Sequence, residues 1–274
     1  MNVLAHDRMR PAGVRSRVWR NSARVIRHYW LALIIFLAFM GLWEALTRLL
    51  NVPRYVLPSV SAILSAMNVD RDNLIAQTGV TLQEIALGFV CGVAAGMLLA
   101  VAMAHSKTLE RGLYPIIIAS QAVPVPAIAS PLVIWLGYNI LPKVVVIVLI
   151  VFFPIVVNEF VGLTGVDPEL LNLMRSMSAS RWKVFWNVRF PSSLPFLFAG
   201  AKLAATYSVI GAVFGEWVGS DQGLGAYLLQ QNANLRIDRV FADIFVLSAL
   251  GVLLFILTGV VEYFTTPWRH RTTK

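Results

Sequence analysis

The sequence predicts an all-α, polytopic membrane protein with six transmembrane helices. Of the 274 residues, 58% are hydrophobic and only 14% are charged, and the mean hydropathy is +0.71. Soluble domains are typically about 45–50% apolar and about 25% charged. Six spans of about 20 apolar residues each fit this length and leave polar chain for the loops. The composition therefore argues against a soluble enzyme, a disordered chain and a disulfide scaffold.

Apolar runs along the chain give the order of the spans. The first span is predicted between Tyr29 and Leu50, and two prolines then separate it from a short amphipathic helix at 59–67. The later spans are predicted at residues 79–104, 112–137, 141–163, 190–218 and 240–264. We therefore expect one membrane domain at 30–264, with basic tails at 1–29 and 265–274.

Two of these spans carry backbone signals. Gly88, Gly92 and Gly96 recur every fourth residue in the second span, a stripe that lets helix backbones approach closely. The third span contains four prolines, at positions 115, 124, 126 and 131. Because a proline removes a backbone hydrogen bond and clashes one turn back, this span should be broken. Irregular backbone at membrane depth usually lines a cavity or is covered by protein.

Positive charges are distributed unevenly over the predicted loops. Most of the 23 lysine and arginine residues fall in the two tails, in the turn at 105–111 and in the polar stretch at 164–189. Six spans place these segments on one side, and the positive-inside rule makes that side cytoplasmic. Both termini are therefore predicted to be cytoplasmic. An arginine-rich tail could also bind nucleic acid, but the topology explains the charge, and we expect no nucleic-acid partner.

The polar stretch between spans four and five has two helical patterns. Asp167 can cap a helix that begins at Pro168. A second short helix would place Trp182, Phe185 and Trp186 on one face, and Pro191 and Pro195 are expected to end it. From these residues alone, the segment is either an amphipathic pair lying on the membrane surface or a docking site for a partner.

This stretch resembles the cytoplasmic loop of binding-protein-dependent ABC importer permeases. The resemblance is carried by Met174, Arg175, Ala179, Ser180, Phe185, Val188 and Pro191. Ser178 replaces the glycine usual in that family, and Asn172–Leu173–Met174 replaces its acidic–Ala–Ala opening. The runs QAVPVPAIASPLVIWLG and GAVFGEWVGSDQGLG match the family in order and spacing, so the similarity covers about residues 40–264.

The resemblance implies a coupling helix that docks on a separate ATPase. Its candidate residues are Arg175, Ser178, Ala179, Ser180, Arg181, Trp182, Lys183, Phe185 and Trp186. The implied assembly contains a second permease copy, two cytoplasmic ABC ATPase subunits that use ATP and Mg²⁺, and an external solute-binding protein that Ser220–Gly225 would meet unless that segment is a plain loop. It implies a multi-pass protein of the bacterial inner membrane that binds no cofactor itself.

The resemblance is to one branch of the family, and within it is greatest to permeases for thiamine-precursor pyrimidines and riboflavin, with import of nitrate, sulfonate or taurine by the same architecture as the alternative. An ion-coupled secondary transporter is a less favoured alternative, because no clear mid-span relay or inverted repeat is present. The sequence has no phosphate-binding glycine loop, no catalytic set and no clustered metal ligands. We therefore expect a transport subunit without catalytic or metal-binding residues.

Polar residues within spans are candidates to line the transport pathway, because they are costly in lipid. These candidates are Gln121, Ser130, Asn158, Tyr207, Ser208 and Glu216. The ionisable groups in the spans, Glu216 among them, also have simpler explanations. Glu44 is expected to pair with Arg48 one turn away, Glu159 and Glu216 to reach water near span ends, and Asp243 to cap the sixth span.

Overall fold

In the computed structural model of the chain, every regular element among the described residues is helical, which confirms the predicted all-α class. The structure describes the backbone of residues 14–270 and the side chains of residues 30–268. The helices are α1 (Val14–Leu49), α2 (Val60–Val69), α3 (Arg71–His105), α4 (Lys107–Ser120), α5 (Val125–Leu136), α6 (Ile140–Thr164), α7 (Pro168–Ser176), α8 (Arg181–Val184), α9 (Phe190–Gly219), α10 (Leu224–Ala233) and α11 (Ile237–Thr265). A π-helical turn, Phe185–Arg189, joins α8 to α9.

Among the described residues, five helical segments are long and apolar enough to cross a membrane, and α4 with α5 makes a sixth if they form one bent span. The bend between α4 and α5 is 97°. Pro124 precedes the first turn of α5, where its missing N–H costs little. The predicted break of the third span is therefore confirmed. The extreme parts of the predicted basic tails, 1–13 and 271–274, lie outside the described residues.

Two helices begin earlier than the apolar runs indicate. The first begins at Val14, within the predicted tail, and α3 begins at Arg71 rather than near residue 79. The reason is that hydropathy marks the lipid-facing length, whereas backbone hydrogen bonds continue through polar residues. The first turns of α3 contain polar side chains, among them Asp72 and Gln77, that are compatible with a helix.

The chain forms two compact units, one up to Ala62 and one from Ile63. In the first unit, the segment after α1 folds back on that helix. Trp43 Nε1 donates to the carbonyl of Pro58 at 3.1 Å. Glu44 accepts from the Ser61 backbone N–H at 3.0 Å and pairs with Arg48 at 2.5 Å, as predicted.

In the second unit, the core is built on close packing of α3 against α6. A Cβ placed on Gly88 would lie 2.5 Å from the Ile147 side chain, and one placed on Gly92 would lie 2.7 Å from Val151. Gly96 meets Ile155 in the same way, with 2.8 Å between the built Cβ and that side chain. The glycine stripe therefore allows the close approach that its spacing predicts.

Three acidic residues are more deeply buried than expected. Glu159, Glu216 and Asp243 are each 0% exposed. Glu159 accepts a hydrogen bond from Ser193 Oγ at 2.8 Å, and Asp243 lies beyond the first turn of α11. The expectation that the two glutamates reach water and that Asp243 caps a helix is wrong. Neighbouring helices cover these side chains. The position of a residue near the end of a span gives no information about this burial.

Candidate functional site

The loop between α6 and α9, residues 165–189, is termed the inter-span loop. It starts with an N-cap that the sequence predicts correctly: Asp167 Oδ1 accepts from the backbone N–H of Glu169 at 2.9 Å. Pro168 occupies the first turn of α7, where its fixed φ favours the helix. The first helix of this loop is thus set by local sequence.

Helix α7 ends in a Schellman motif. The backbone N–H of Ala179 donates to the carbonyl of Met174 at 3.0 Å, and that of Ser178 donates to Arg175 at 2.9 Å. Ser178 has a φ of +56°, in the left-handed region that favours glycine. The structure thus explains why a glycine suits this position, and shows that Ser178 adopts the same conformation.

Helix α8 continues without interruption into α9. Ser180 Oγ accepts from the backbone N–H of Lys183 at 3.3 Å and caps α8. The expectation that Pro191 and Pro195 end this helix is wrong, since both lie within α9. In an α-helix the Pro191 ring would meet the carbonyl of Asn187, and Asn187 lies in the wider π turn. The π register therefore lets residues 181–219 form one helical rod, which we term the α8–α9 rod.

The aromatic residues of the inter-span loop form one cluster, in which two rings face solvent and one ring is buried. The Trp182 and Trp186 ring centroids are 5.5 Å apart, and those of Phe185 and Trp186 are 5.3 Å apart. Trp182 is 68% exposed and Trp186 46%, but Phe185 is only 5% exposed. Phe185 packs on the His105 ring with a centroid distance of 5.0 Å. Phe185 therefore supports the loop from inside, rather than presenting an exposed anchor as predicted.

The outward surface of the loop is apolar and basic. Its large exposed apolar side chains include Leu173, at 56%, and Met177, at 70%. Of the other predicted coupling residues, Arg175, Ser178, Ser180, Arg181 and Lys183 are exposed and Ala179 is half-buried. A cavity of about 380 Å³ beside them is lined by five basic residues: His105, Lys107, Arg175, Arg181 and Arg189. Such a surface suits a partner that offers apolar pockets rimmed by carboxylates.

The predicted pathway residues do not form a single group. Gln121 is the C-cap of α4 at the bend, Ser130 lies on α5, and both are exposed, as is Tyr207. Asn158 is half-buried and donates to the carbonyl of Pro154 at 2.8 Å. Ser208 is buried and borders an apolar cavity of about 360 Å³ between α3, α9 and α11. Their assignment to a pathway stays a prediction.

Glu216 belongs to a buried network at the other end of the α8–α9 rod. It accepts from Thr81 Oγ1 at 2.7 Å and from the backbone N–H of Gly225 in the first turn of α10. Nearby, Lys143 Nζ pairs with Glu84 Oε1 at 3.2 Å. Sequence reasoning missed Glu84 and Lys143. The signal that could have found Glu84 is an isolated acidic residue inside an apolar span.

Comparisons with known proteins agree on one family. Residues 92–266 match the family described as "binding-protein-dependent transport system inner membrane component". The chain is 35% identical over 239 residues to the formylaminopyrimidine transport permease protein ThiX of Halalkalibacterium halodurans, covering 87% of this chain and 95% of that protein. It is 30% identical over 247 residues to the riboflavin transport system permease protein RibX of Chloroflexus aurantiacus, covering 88% and 92%.

A solved structure has the same fold. It is the crystal structure of an amino acid ABC transporter with histidines, which superimposes with a TM-score of 0.58 and covers 75% of this chain and 97% of that one. The sequence identity is 17%, so this likeness concerns the fold alone.

Proposed function

Because the chain belongs to the family of binding-protein-dependent transport system inner membrane components, we propose that it is the pathway-forming subunit of a bacterial ABC importer. The inter-span loop and both termini face the cytoplasm, and α10 faces outward. Two copies of the chain enclose the pathway, two cytoplasmic ATPase subunits dock on their loops, and an external solute-binding protein delivers the cargo. The distribution of positive charge supports this orientation.

The observation that carries the proposal is the exposed aromatic surface of the inter-span loop. Trp182 and Trp186 expose large apolar areas beside Arg181 and Lys183. Tryptophan and arginine are the residues that most often dominate binding energy at protein interfaces. A surface helix that only rests on lipid would need no rigid link to a span, whereas α8 runs directly into α9.

The α8–α9 rod gives a route from this surface to the far end of the second unit. Its 39 residues would extend roughly 58 Å. A displacement of α8 by an ATPase is therefore transmitted to Glu216 and to the first turn of α10. ATP and Mg²⁺ belong to the partner ATPase. Their effect on the permease arises from different contacts with the loop in the two conformations.

The docking surface is tested by replacing Trp182 and Trp186 together with alanine. The tagged full-length chain is coexpressed with the ABC ATPase of its own transporter, and the amount of ATPase that copurifies is measured. We expect at least a tenfold loss of binding, because each interface tryptophan contributes about 2 kcal/mol or more. Size-exclusion chromatography of the variant should be unchanged, since both side chains are exposed.

Trp268→Ala is the matched control, because Trp268 is 44% exposed but lies outside the loop. It should copurify as much ATPase as the wild type. Wild-type recovery of the ATPase by the double variant would contradict the docking surface. A loss of binding by Trp268→Ala as well would show that the effect is not specific to the loop.

For the cargo, we propose a thiamine-precursor pyrimidine or a riboflavin-like compound. The support is the similarity over most of the chain to permeases described for formylaminopyrimidine and riboflavin. The permease is reconstituted with its ATPase and binding protein, and uptake of labelled formylaminopyrimidine, riboflavin, taurine and nitrate is compared. We expect ATP-dependent uptake of one of the first two. Uptake of taurine or nitrate instead would favour the alternative cargo class.

A further inference from the structure

Four ionisable side chains meet where α3, α6, α9 and α11 pack together beside α10. They are Glu84, Lys143, Glu216 and Asp243, termed here the carboxyl cluster. All four are buried: Lys143 is 8% exposed, Glu84 is 1% exposed, and the other two are 0% exposed. The docking surface proposed above does not include them.

The positive charge in this cluster does not match the number of carboxyl groups. Lys143 supplies one ammonium group, which contacts Glu84 Oε1 at 3.2 Å and donates to Ser220 Oγ at 2.7 Å. Three ionised carboxylates would leave two negative charges without a counter-charge. Buried carboxylates without compensation are strongly unfavourable and become neutral or acquire a cation.

The surrounding polar groups add no further positive charge. Arg239 Nη1 is engaged by Asp70 Oδ2 at 3.1 Å, and the Tyr227 hydroxyl also donates to Asp70. Burial and the Asp70 carboxylate raise the pKa of Tyr227 above its usual value, so the phenol stays neutral. In the part of the chain that the structure describes, no three acidic, histidine or cysteine side chains are arranged to hold a metal ion.

A first proton is indicated at Glu84. Its Oε1 contacts Lys143 Nζ at 3.2 Å, but its Oε2 is buried and has no hydrogen-bond partner among the described residues. A buried carboxylate oxygen without a donor is unfavourable, whereas a protonated oxygen is neutral and has a hydrogen to donate. Glu216 accepts from Thr81 Oγ1 at 2.7 Å and from the Gly225 N–H, as an ionised group does. Of these two glutamates, Glu84 is therefore the protonated one.

Asp243 gives an independent indication of a second proton. It is 0% exposed, and neither of its carboxyl oxygens has a hydrogen-bond partner. Its charge would act directly on Glu216. A buried carboxylate with no donor and no cation beside it is far less favourable than the neutral acid.

We propose that the carboxyl cluster is a proton-binding site, in which Glu84 holds one proton on its unpartnered Oε2 and Asp243 holds a second. With these two protons, the ammonium of Lys143 balances the carboxylate of Glu216 and the cluster is neutral. The groups that face it are Thr81 and Glu84 on α3, Lys143 on α6, Glu216 on α9, Tyr227 on α10, and Asp243 and Arg239 on α11, with Asp70 beyond Tyr227.

The position of α10 depends on the charge of this site. Glu216 accepts from the N–H of Gly225, and Thr81 accepts from the N–H of Leu224 at 2.8 Å, so both hold the first turn of α10. Loss of either proton would place like charges beside Glu216 and favour separation of the helices that carry them. Release of either proton would thus loosen α10 from the rest of the second unit.

The test is infrared spectroscopy of the full-length chain in lipid nanodiscs at neutral pH, in which the spectrum of each variant is subtracted from that of the wild type. Protonated carboxyl groups have a carbonyl stretch separate from that of carboxylates. Glu84→Gln and Asp243→Asn should each remove the intensity of one protonated carboxyl, and the double variant should remove both. Asp72→Asn is the control, because Asp72 is exposed in the first turn of α3 and should leave the band unchanged.

Lys143→Met should change the intensity of the protonated-carboxyl band in the opposite direction. Without the ammonium group, Glu216 should take up a proton, and the band should gain the intensity of one carboxyl group. A wild-type spectrum without a protonated-carboxyl band, as expected if a bound cation neutralised the cluster, would overturn the proposal. A band that neither Glu84→Gln nor Asp243→Asn reduces would overturn it as well, since Glu159 would then account for it. No ATPase or cargo is needed, so the result is independent of the importer assignment.

Discussion

The two ends of the α8–α9 rod are stabilised in different ways. The hydrogen bonds within the inter-span loop are local: Ser178 bonds to Arg175 and Ala179 to Met174. At the far end, the bonds join residues that are distant along the chain. Thr81 and Glu216 are 135 residues apart, and Gly223 and Gln77 are 146 residues apart.

The inter-span loop is therefore a self-supporting surface. The far end is an interlock, meaning a junction that is complete only when several helices are in place. The loop keeps its shape by itself and leaves Trp182 and Met177 open to a partner. The far end satisfies the first N–H groups of α10 with side chains of α3 and α9, so it is complete only when three helices are in place. A subunit that transmits motion needs both, since one end must accept a partner and the other must respond as a unit.

The largest effect is expected from adding one methyl group at the far end. Gly223 has a φ of +100°, and a Cβ at this position would overlap the Glu216 carboxylate. Gly223→Ala should lower the free energy of unfolding by about 2–4 kcal/mol, from backbone strain and overpacking together. The measurement is reversible unfolding in mixed detergent, with hydrogen exchange of α10 as a local readout.

Gly79→Ala is the control for this change. Gly79 is helical and exposed, with no atom within 4 Å of an added Cβ. Alanine is the better helix former there, so this variant should be unchanged or more stable by up to about 1 kcal/mol. If Gly223→Ala were as stable as Gly79→Ala, the far end would not be an interlock and the comparison between the two ends would fail.

The features that sequence predicts correctly are those set by neighbours in the chain. Asp167 caps α7 because its side chain reaches a backbone N–H two residues on, and the third span breaks at Pro124 because proline lacks a backbone N–H donor. The glycine stripe of α3 is also predicted correctly, since residues spaced four apart lie on one face of a helix.

The features that sequence misses depend on which helices come together. Nothing local to Glu84 indicates that Lys143 lies 3.2 Å away on another helix. Phe185 was expected on the exposed face because it lies three residues after Trp182. Phe185 does stack beside Trp182, with 6.3 Å between the ring centroids, but packing against His105 at the end of α3 buries its ring.

A smaller effect is expected in the inter-span loop, where Ser178→Gly should stabilise the end of α7. The left-handed conformation of Ser178 costs an L-residue about 1–2 kcal/mol. Glycine avoids this cost but loses more backbone entropy on folding, by about 0.5–1 kcal/mol. The net gain is about 0.5–1 kcal/mol. It should slow hydrogen exchange of the α7 amides by about two- to fivefold, and exchange in α10 should stay unchanged because the loop is held locally.

Ser176→Gly makes the same substitution at a helical position of the same element. It should speed exchange in α7, because glycine is the poorer helix former by about 0.5 kcal/mol. Opposite signs at positions 176 and 178 would show that backbone conformation, rather than loss of a hydroxyl group, controls this end of α7. Slower exchange in α10 in the Ser178→Gly variant would instead mean that the loop and the carboxyl cluster are coupled in the resting chain, and that the local character of the loop is wrong.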